Sequence, residues 1–125
     1  MYNPVSNYRL QFHKNFTFGD ARQLVDYFHL LGTGTIYASP VFKALPGSTH
    51  GYDVTDPHSI HPETGTSEEL KKLSKSLKNR RIGWLQDIVP NHMAFSHQNP
   101  WMKGVLEKGR DSEFANVFDI DRQHR

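Results

Sequence analysis

Polar and aromatic side chains that could do chemistry lie at the carboxyl ends of three segments of β-like sequence or just beyond them. They are Gln11 and His13 for the first segment, Ser39, His50, Tyr52, Asp53 and Asp56 for the second, and Asp87, Asn91 and His92 for the third. In parallel α/β folds the residues at the carboxyl ends of the strands meet at one rim, where ligands bind. This set combines many hydrogen-bond donors and acceptors with the flat apolar face of Tyr52, which favours a sugar as the ligand.

The carboxylates and the histidine of this set have structural interpretations as well as functional ones. Asp87 follows an apolar segment, where a charge is costly without a partner, so an aspartate held by hydrogen bonds or by an arginine is favoured over a proton-transfer group. Asp53 and Asp56 suit turns beside Pro57 as well as they suit sugar binding. His92 is either a ligand-binding imidazole or one packed at the strand end. The residues alone leave these alternatives open.

The eight histidines raise the question of a metal site, and the sequence favours none. His58 and His61 are three residues apart in a proline-bracketed loop, without the helical register or HExxH pattern of a zinc peptidase. Gly32 and Gly34 follow a predicted helix instead of preceding one, which argues against a phosphate loop, and no GxSxG motif is present. The lack of cysteine excludes a thiolate zinc site, a disulfide scaffold and a cysteine nucleophile. We therefore expect no metal and no cofactor.

Three segments are predicted strands that would position these residues. Residues 6–12 alternate apolar and polar side chains, residues 35–39 are short and β-prone, and residues 82–89 are nearly all apolar. The third pattern is typical of a strand covered on both faces. Residues 41–65 show no period and contain many prolines and glycines, so we expect a long structureless connection there.

Helices are predicted between these strands. Thr17 and Asp20 can form a capping box before an apolar stripe of Ala21, Leu24, Val25, Phe28 and Leu31. Thr66 and Glu69 can form a second box before a stripe of Leu70, Leu73 and Leu77, and a short third helix is predicted over 100–107. The alternation of strands and helices predicts parallel pairing and an α/β fold.

The composition limits the classes of molecule that this chain is expected to bind. The chain has 125 residues and a net charge of +2, which is too small to favour nucleic acid or an anionic membrane as a partner. The basic residues between Lys71 and Arg81 are better explained as a solvated helix face. No apolar run approaches the roughly 20 residues that cross a bilayer, and residues 1–9 lack an export signal pattern, so we expect a cytoplasmic location.

Three sequence blocks carry a resemblance to a known family. They are NYRLQFHKNFTF at 7–18, YASPVFKALPGSTHGYDVTDP at 37–57 and LQDIVPNHMAFSHQNPWM at 85–102. DIVPNH resembles the first sequence signature of the α-amylase superfamily, and HGYD resembles its tyrosine-bearing loop. The combination of YRLQF, YASP, PGSTHGYDV and IVPNHMA resembles the maltooligosyltrehalose synthase family, whose activity is isomerisation in trehalose biosynthesis.

The resemblance implies a fold, a reaction and roles for five residues. The fold is a (β/α)8 TIM barrel, of which residues 1–125 would be an N-terminal fragment with about three β/α units. The reaction converts the reducing-end α-1,4 bond of a maltooligosaccharide to an α,α-1,1 bond. Tyr52 would stack on the sugar and His92 would hydrogen-bond it, while Asp87 would organise the site through an arginine further along a complete chain. Asp53 and Asn91 would also organise the site; Asn91 matches a calcium position of some amylases, but calcium is not implied for this branch.

The residues that perform the family's chemistry are not expected in this chain. In this superfamily the nucleophile, the acid/base and a third carboxylate follow strands four, five and seven, so we assign no catalytic residue and expect an inactive fragment. Unpaired sheet edges predict self-association and a poorly folded monomer. Two alternatives remain: a stand-alone carbohydrate-binding module, and a fragment of another α-amylase-superfamily glycosidase or transferase.

Overall fold

The computed structural model describes residues 5–121 of the chain. Strands and helices alternate along it. In chain order they are β1 (Asn7–Leu10), α1 (Phe18–Gln23), α2 (Val25–Leu30), β2 (Thr35–Ala38), β3 (Phe42–Ala44), β4 (Val54–Ile60), α3 (Ser67–Asn79), β5 (Gly83–Gln86) and α4 (Pro100–Lys108), followed by a short 3-10 turn at Gly109–Asp111. No helix among residues 5–121 is long and apolar enough to cross a bilayer.

The three strands predicted from the sequence form one parallel sheet in the order β1-β2-β5. Tyr8 is aligned with Ile36 and Ile36 with Trp84, while the next residues along, Arg9, Tyr37 and Leu85, form the neighbouring row. The structure therefore confirms the predicted parallel pairing and the α/β class.

The two faces of this sheet differ in what covers them. Side chains alternate between the faces of a strand. We call the face of Tyr8, Leu10, Ile36, Ala38 and Trp84 the covered face, because these residues lie in or against the hydrophobic core formed with α1, α2 and α3. We call the opposite face, which carries the row Arg9, Tyr37 and Leu85, the open face. Chemistry-bearing side chains lie on the open face.

The first helix forms with the predicted cap, but it breaks in the middle. Asp20 N–H donates to Thr17 Oγ1 at 3.3 Å and Thr17 N–H donates to Asp20 Oδ2 at 2.8 Å, which completes the capping box. At Leu24 the N–H donates to Ala21 O, three residues back instead of four, and α2 begins one residue later. The prediction of one continuous helix is therefore wrong, because this tighter turn rotates the residues that follow.

The break also divides the predicted apolar stripe. Ala21, Val25 and Phe28 are buried as expected, but Leu24 is 40% exposed and Leu31 is 54% exposed. The helix α3 needs no such correction, since its Thr66–Glu69 capping box is present and Leu73 and Leu77 are buried on its inner face. α4 matches its predicted range to within one residue.

The expected structureless connection over 41–65 is wrong. Residues Phe42–Ala44 and Val54–Ile60 pair as antiparallel strands, β3 and β4. The register shifts at both steps of the ladder, and Pro57 lies within β4. The sequence of these strands therefore shows no regular alternation of apolar and polar residues. The two strands bring the intervening loop, with Tyr52, to the end of the parallel sheet.

The expected burial of the third strand on both faces is also wrong. β5 is an edge of the three-stranded sheet and is shorter than predicted. Trp84 packs against the core, whereas Leu85 is 49% exposed on the open face and Ile88, just after the strand, is 58% exposed. The apolar sequence indicates a strand that suits burial, but no described element covers its second face. The predicted polar tail over 119–125 extends outside the described residues.

Candidate functional site

The site is built around the carboxylate of Asp87, immediately after β5. Its backbone N–H donates to Ala38 O at 2.9 Å, which fixes the residue beside the carboxyl end of β2. Asp87 Oδ2 accepts a hydrogen bond from Tyr52 Oη at 2.7 Å and another from Arg9 Nη1 at 2.9 Å. Arg9 Nη2 also donates to Tyr52 Oη at 3.2 Å, so the three side chains contact one another in a closed triangle.

These contacts keep the pair charged. The hydrogen bond from Tyr52 is the largest cause that lowers the pKa of Asp87; partial burial opposes it, and the hydrogen bond and charge of Arg9 add to it. Burial acts against the charged guanidinium of Arg9, but the hydrogen bonds with Tyr52 and Asp87 outweigh it and raise the pKa of Arg9. Asp87 is therefore ionised at neutral pH, which favours its interpretation as a held structural carboxylate over a proton donor.

Arg9 and Tyr37 belong to this cluster although neither was among the predicted site residues. The guanidinium carbon of Arg9 lies 4.2 Å from the centroid of the Tyr37 ring, within the range of a cation–π contact. The resemblance implied an arginine further along a longer chain as the partner of Asp87, whereas within residues 5–121 the partner is Arg9. The signal that could have found it is the alternation of the first strand, which places Arg9 and Gln11 on one face.

The loop that carries Tyr52 is attached to the first strand. Gln11 Nε2 donates to Thr49 O at 3.0 Å and to His50 O at 3.3 Å. Gly51 has φ +76° and packs so closely on Pro40 that a Cβ would lie 2.8 Å from the Pro40 carbonyl oxygen. Only glycine fits this conformation without strain, so the HGYD sequence has a local structural reason at its second position.

Tyr52 presents its ring from this loop in a defined orientation. The imidazole of His50 stacks on the ring, with the centroids 5.9 Å apart and the planes at 15°. The backbone N–H of Tyr52 donates to His50 Nδ1 at 3.0 Å, which keeps the two side chains together. Tyr52 remains 37% exposed, so an aromatic surface is accessible beside the charged pair.

Asp53, in the loop before β4, and Asp56, within β4, accept hydrogen bonds from residues close to them in the chain. Asp53 Oδ1 accepts from the hydroxyl of Ser48 and lies 3.8 Å from His50 Nδ1. Asp56 accepts from the Ser59 hydroxyl and the His58 backbone, and these bonds lower the pKa of Asp56. The contact of Asp53 with Ser48 is that of a residue that shapes a turn, the first of the two interpretations left open by the sequence. Asp56 lies within β4, so the turn interpretation does not apply to it.

Asn91 and His92 lie apart from the cluster. His92 Nδ1 is 3.2 Å from Asn91 Oδ1, and both residues are exposed. They line a cavity with apolar residues that include Val54, Met93 and Trp101. Over 5–121 no hydrogen bond or ion pair joins either residue to Tyr52 or Asp87. The structure thus brings together Tyr52, Asp87 and, through the loop, Asp53, but not the other two predicted site residues.

The two histidines considered as metal ligands have other contacts. His61 is buried and its Nδ1 accepts the Ala44 N–H at 3.3 Å, while the ring of His58 lies 5.7 Å from that of Trp101. Among the described residues there is no group of three histidine or acidic side chains with the geometry of a metal site.

Comparison with known proteins gives matches over nearly the whole chain. Residues 17–122 match the family model for the α-amylase catalytic domain. A protein of Mycobacterium tuberculosis assigned as a maltooligosyl trehalose synthase is 45% identical over 124 residues, which cover 94% of this chain and 16% of that relative. The structure of maltooligosyltrehalose synthase from Arthrobacter ramosus is 42% identical, with a TM-score of 0.91 over 94% of this chain and 16% of that one.

A relative with a different assignment also matches. Alpha-amylase 2 of Dictyoglomus thermophilum is 44% identical over 94 residues, which cover 75% of this chain and 16% of that protein. The chain therefore spans 16% of the length of each of these relatives.

Proposed function

Since the chain belongs to the α-amylase family, we propose that it forms part of the sugar-binding rim of a maltooligosyltrehalose synthase. The observation that carries this proposal is the match to synthases over 94% of the chain. The motifs YRLQF, PGSTHGYDV and IVPNHMA of this chain, which resemble that family, support it. The three parallel strands would be the first three strands of a (β/α)8 barrel, with residues 1–125 as its N-terminal fragment. The open face of the sheet would then be the inner face of that barrel.

In this proposal the exposed aromatic surface of Tyr52 stacks on a glucose ring. Tyrosine suits this role because its ring is flat and apolar while its hydroxyl is held by Arg9 and Asp87. His92 hydrogen-bonds hydroxyls of the same sugar once the remainder of the barrel encloses it. Asp87 acts as an organising carboxylate, Asp53 shapes the loop, and Asn91 orients His92 through their contact.

The reaction proposed for the complete enzyme is an intramolecular transglucosylation. It converts the reducing-end α-1,4 bond of a maltooligosaccharide to an α,α-1,1 bond, which makes the product non-reducing. Retaining chemistry of this kind uses two carboxyl groups about 5–5.5 Å apart, one as nucleophile and one as acid/base. Asp87 is already bound to Arg9 and Tyr52, so we assign it neither role and propose that the chain by itself is inactive. We propose a maltooligosaccharide as the ligand, self-association through the unpaired sheet edges, and the cytoplasm as the location, with no nucleic acid, membrane or cofactor.

A binding experiment tests the sugar site directly. We expect the 125-residue chain to bind maltotriose, detected by chemical-shift changes at Tyr52 and His50, and to bind the β-1,4-linked cellotriose more weakly. Tyr52→Ala should remove the response, because it deletes the stacking surface. The matched control is Tyr27→Ala, which removes an exposed tyrosine from α2 on the other side of the sheet. Equal responses in the two variants would contradict the proposed site.

An activity experiment tests the inactivity of the chain. Incubation with maltopentaose should leave the number of reducing ends unchanged within the error of a buffer blank. Loss of reducing ends without release of glucose would show that this chain carries out the isomerisation by itself. Formation of additional reducing ends would show hydrolysis, as the match to Alpha-amylase 2 allows, and would contradict the synthase assignment.

A further inference from the structure

We propose that strand β1 and the residue that follows it position the sugar-stacking ring of Tyr52: Arg9, in β1, holds the hydroxyl of Tyr52, and Gln11, just after β1, holds the backbone of the loop over residues 48–53. This inference rests on the proposed function only for the identity of the sugar; the positioning itself concerns the order of the loop. Neither residue needs to touch a substrate, so both are positioning residues.

Arg9 holds the side-chain end of Tyr52. Its two terminal nitrogens reach different acceptors, Asp87 Oδ2 and Tyr52 Oη, and the planar guanidinium spans them in one orientation. The ring of Tyr37 lies beneath it and restricts its movement. Because Asp87 is tied to β2 by its backbone N–H, the phenol hydroxyl is attached to the parallel sheet at a fixed place.

Gln11 holds the backbone end of the same loop. Residues 9 and 11 are two apart in an extended segment, so their side chains point to the same face of the sheet. The Gln11 amide donates to the carbonyls of Thr49 and His50, immediately before the tight turn at Gly51. A carboxylate or an alkyl side chain of similar length could not make these donations.

The two attachments together leave the ring few orientations. The backbone is held at residues 49 and 50, and the hydroxyl is held by Arg9 and Asp87. His50 covers one side of the ring by stacking, and its Nδ1 accepts the Tyr52 N–H. The loop is therefore ordered before a ligand arrives, which reduces the entropy lost when a sugar binds.

Hydrogen exchange measures this order without reference to any sugar. In Gln11→Glu and Arg9→Met we expect the amides of Gly51 and Tyr52 to exchange at least about tenfold faster, which corresponds to about 1.4 kcal/mol of local stability. The amides of Thr35 and Ser39, bonded within the parallel sheet, should exchange at wild-type rates. Arg9→Lys keeps the charge but not the planar fork, so its loop amides should exchange at intermediate rates.

Matched controls test whether the effect is specific to Gln11 and Arg9 or follows from the same chemical change at any exposed residue. Gln23→Glu and Arg22→Met make the same chemical changes at exposed residues of α1 and should alter neither set of amides. Wild-type exchange of the loop amides in both Gln11→Glu and Arg9→Met would overturn the inference. Equal acceleration of the loop and of Thr35 and Ser39 would also overturn it, because that result indicates a global loss of stability.

The sugar titration then distinguishes this inference from the proposed function. If maltotriose binds, Gln11→Glu and Arg9→Met should weaken it about tenfold, while Gln23→Glu leaves it unchanged. If the wild-type chain binds no maltooligosaccharide and the loop amides still respond as expected, the proposed function fails and the positioning by Arg9 and Gln11 stands. If maltotriose binds the variants as tightly as the wild type, the positioning by Arg9 and Gln11 is wrong.

Discussion

The covered and open faces of the parallel sheet belong to the same three strands but carry different kinds of side chain. The covered face is apolar and closely packed: Phe12, beside it, lies 5.0 Å from Phe18 and 6.0 Å from Trp84 between ring centroids, and Ile36 is fully buried. The open face carries Arg9, which is paired with Asp87, together with Tyr37 and the exposed Leu85, and the loop residue Tyr52 contacts the ion pair. The comparison indicates that one face contributes most of the stability and the other most of the chemistry.

The difference follows from what each interaction contributes. Full burial of one large apolar side chain contributes about 1.5–3 kcal/mol, and the covered face has many of them. A partly exposed ion pair contributes about 0–1 kcal/mol, because solvent and salt screen the charges. The open face therefore does little to stabilise the fold. Four substitutions or conditions, ordered from the largest expected effect, test this division.

Phe12→Ala should have the largest effect. Its side chain is almost fully buried among aromatic rings, so its removal leaves a cavity and should lower the free energy of unfolding by about 3–5 kcal/mol. Urea denaturation followed by circular dichroism measures this loss. Leu30→Ala removes a well-exposed apolar side chain from α2 and should change stability by less than about 0.5 kcal/mol. Similar losses of stability in Phe12→Ala and Leu30→Ala would contradict the conclusion that the covered face contributes most of the stability.

Gly51→Ala should rank second, since it strains the loop beside the open face. A non-glycine residue at φ +76° is strained, and the added Cβ would press on the Pro40 carbonyl, which together should cost about 3 kcal/mol. Gly32→Ala is the control, because Gly32 has φ +80° but no atom of residues 5–121 within 4 Å of the added Cβ. It should cost about 1 kcal/mol. Equal losses would show that the contact with Pro40 does not constrain the loop.

Asp87→Asn should reduce stability by only about 1 kcal/mol, because Arg9 is partly exposed and solvent stabilises the unpaired charge. The substitution should weaken maltotriose binding by more than it lowers stability, because the hydroxyl of Tyr52 loses a charged acceptor. Maltotriose titration measures the affinity, and denaturation of the same sample measures the free energy of unfolding. A loss of stability comparable to that of Phe12→Ala would mean that the open face stabilises the fold as much as the covered face does.

The pH dependence should give the smallest effect. The pKa of Asp87 is lowered in the folded state, so its contribution is present above the unfolded value near 3.9 and is lost as the pH falls through the folded value. Asp20, Asp56, Glu68 and Glu69 also have lowered pKa values, so acid weakens the wild type for several reasons. Denaturation midpoints between pH 6 and pH 3 should fall slightly less in Asp87→Asn than in the wild type. A steeper fall in the variant would mean that folding does not lower the pKa of Asp87.

Features carried by local chemistry could be predicted from the sequence. Both capping boxes, the three parallel strands and the helix from Pro100 are present, because short-range spacing and apolar periodicity determine them. The hairpin β3–β4 was missed because its shifting register removes the period on which strand prediction depends. The break at Leu24 was missed because apolar spacing alone continues through it. Self-association through the exposed edges of β1 and β5 stays a prediction.

For the site, the sequence by itself determined which residue types gather at the ends of the strands and, through its motifs, which family they resemble. Only the tertiary structure decided which of them meet. Arg9 and Asp87 are 78 positions apart, and Arg9 and Tyr52 are 43 apart. These contacts depend on strand register and on the close approach of Gly51 to Pro40, which no local pattern encodes. The tertiary structure also decided that Asn91 and His92 lie outside the cluster, in the cavity that they line with Val54, Met93 and Trp101.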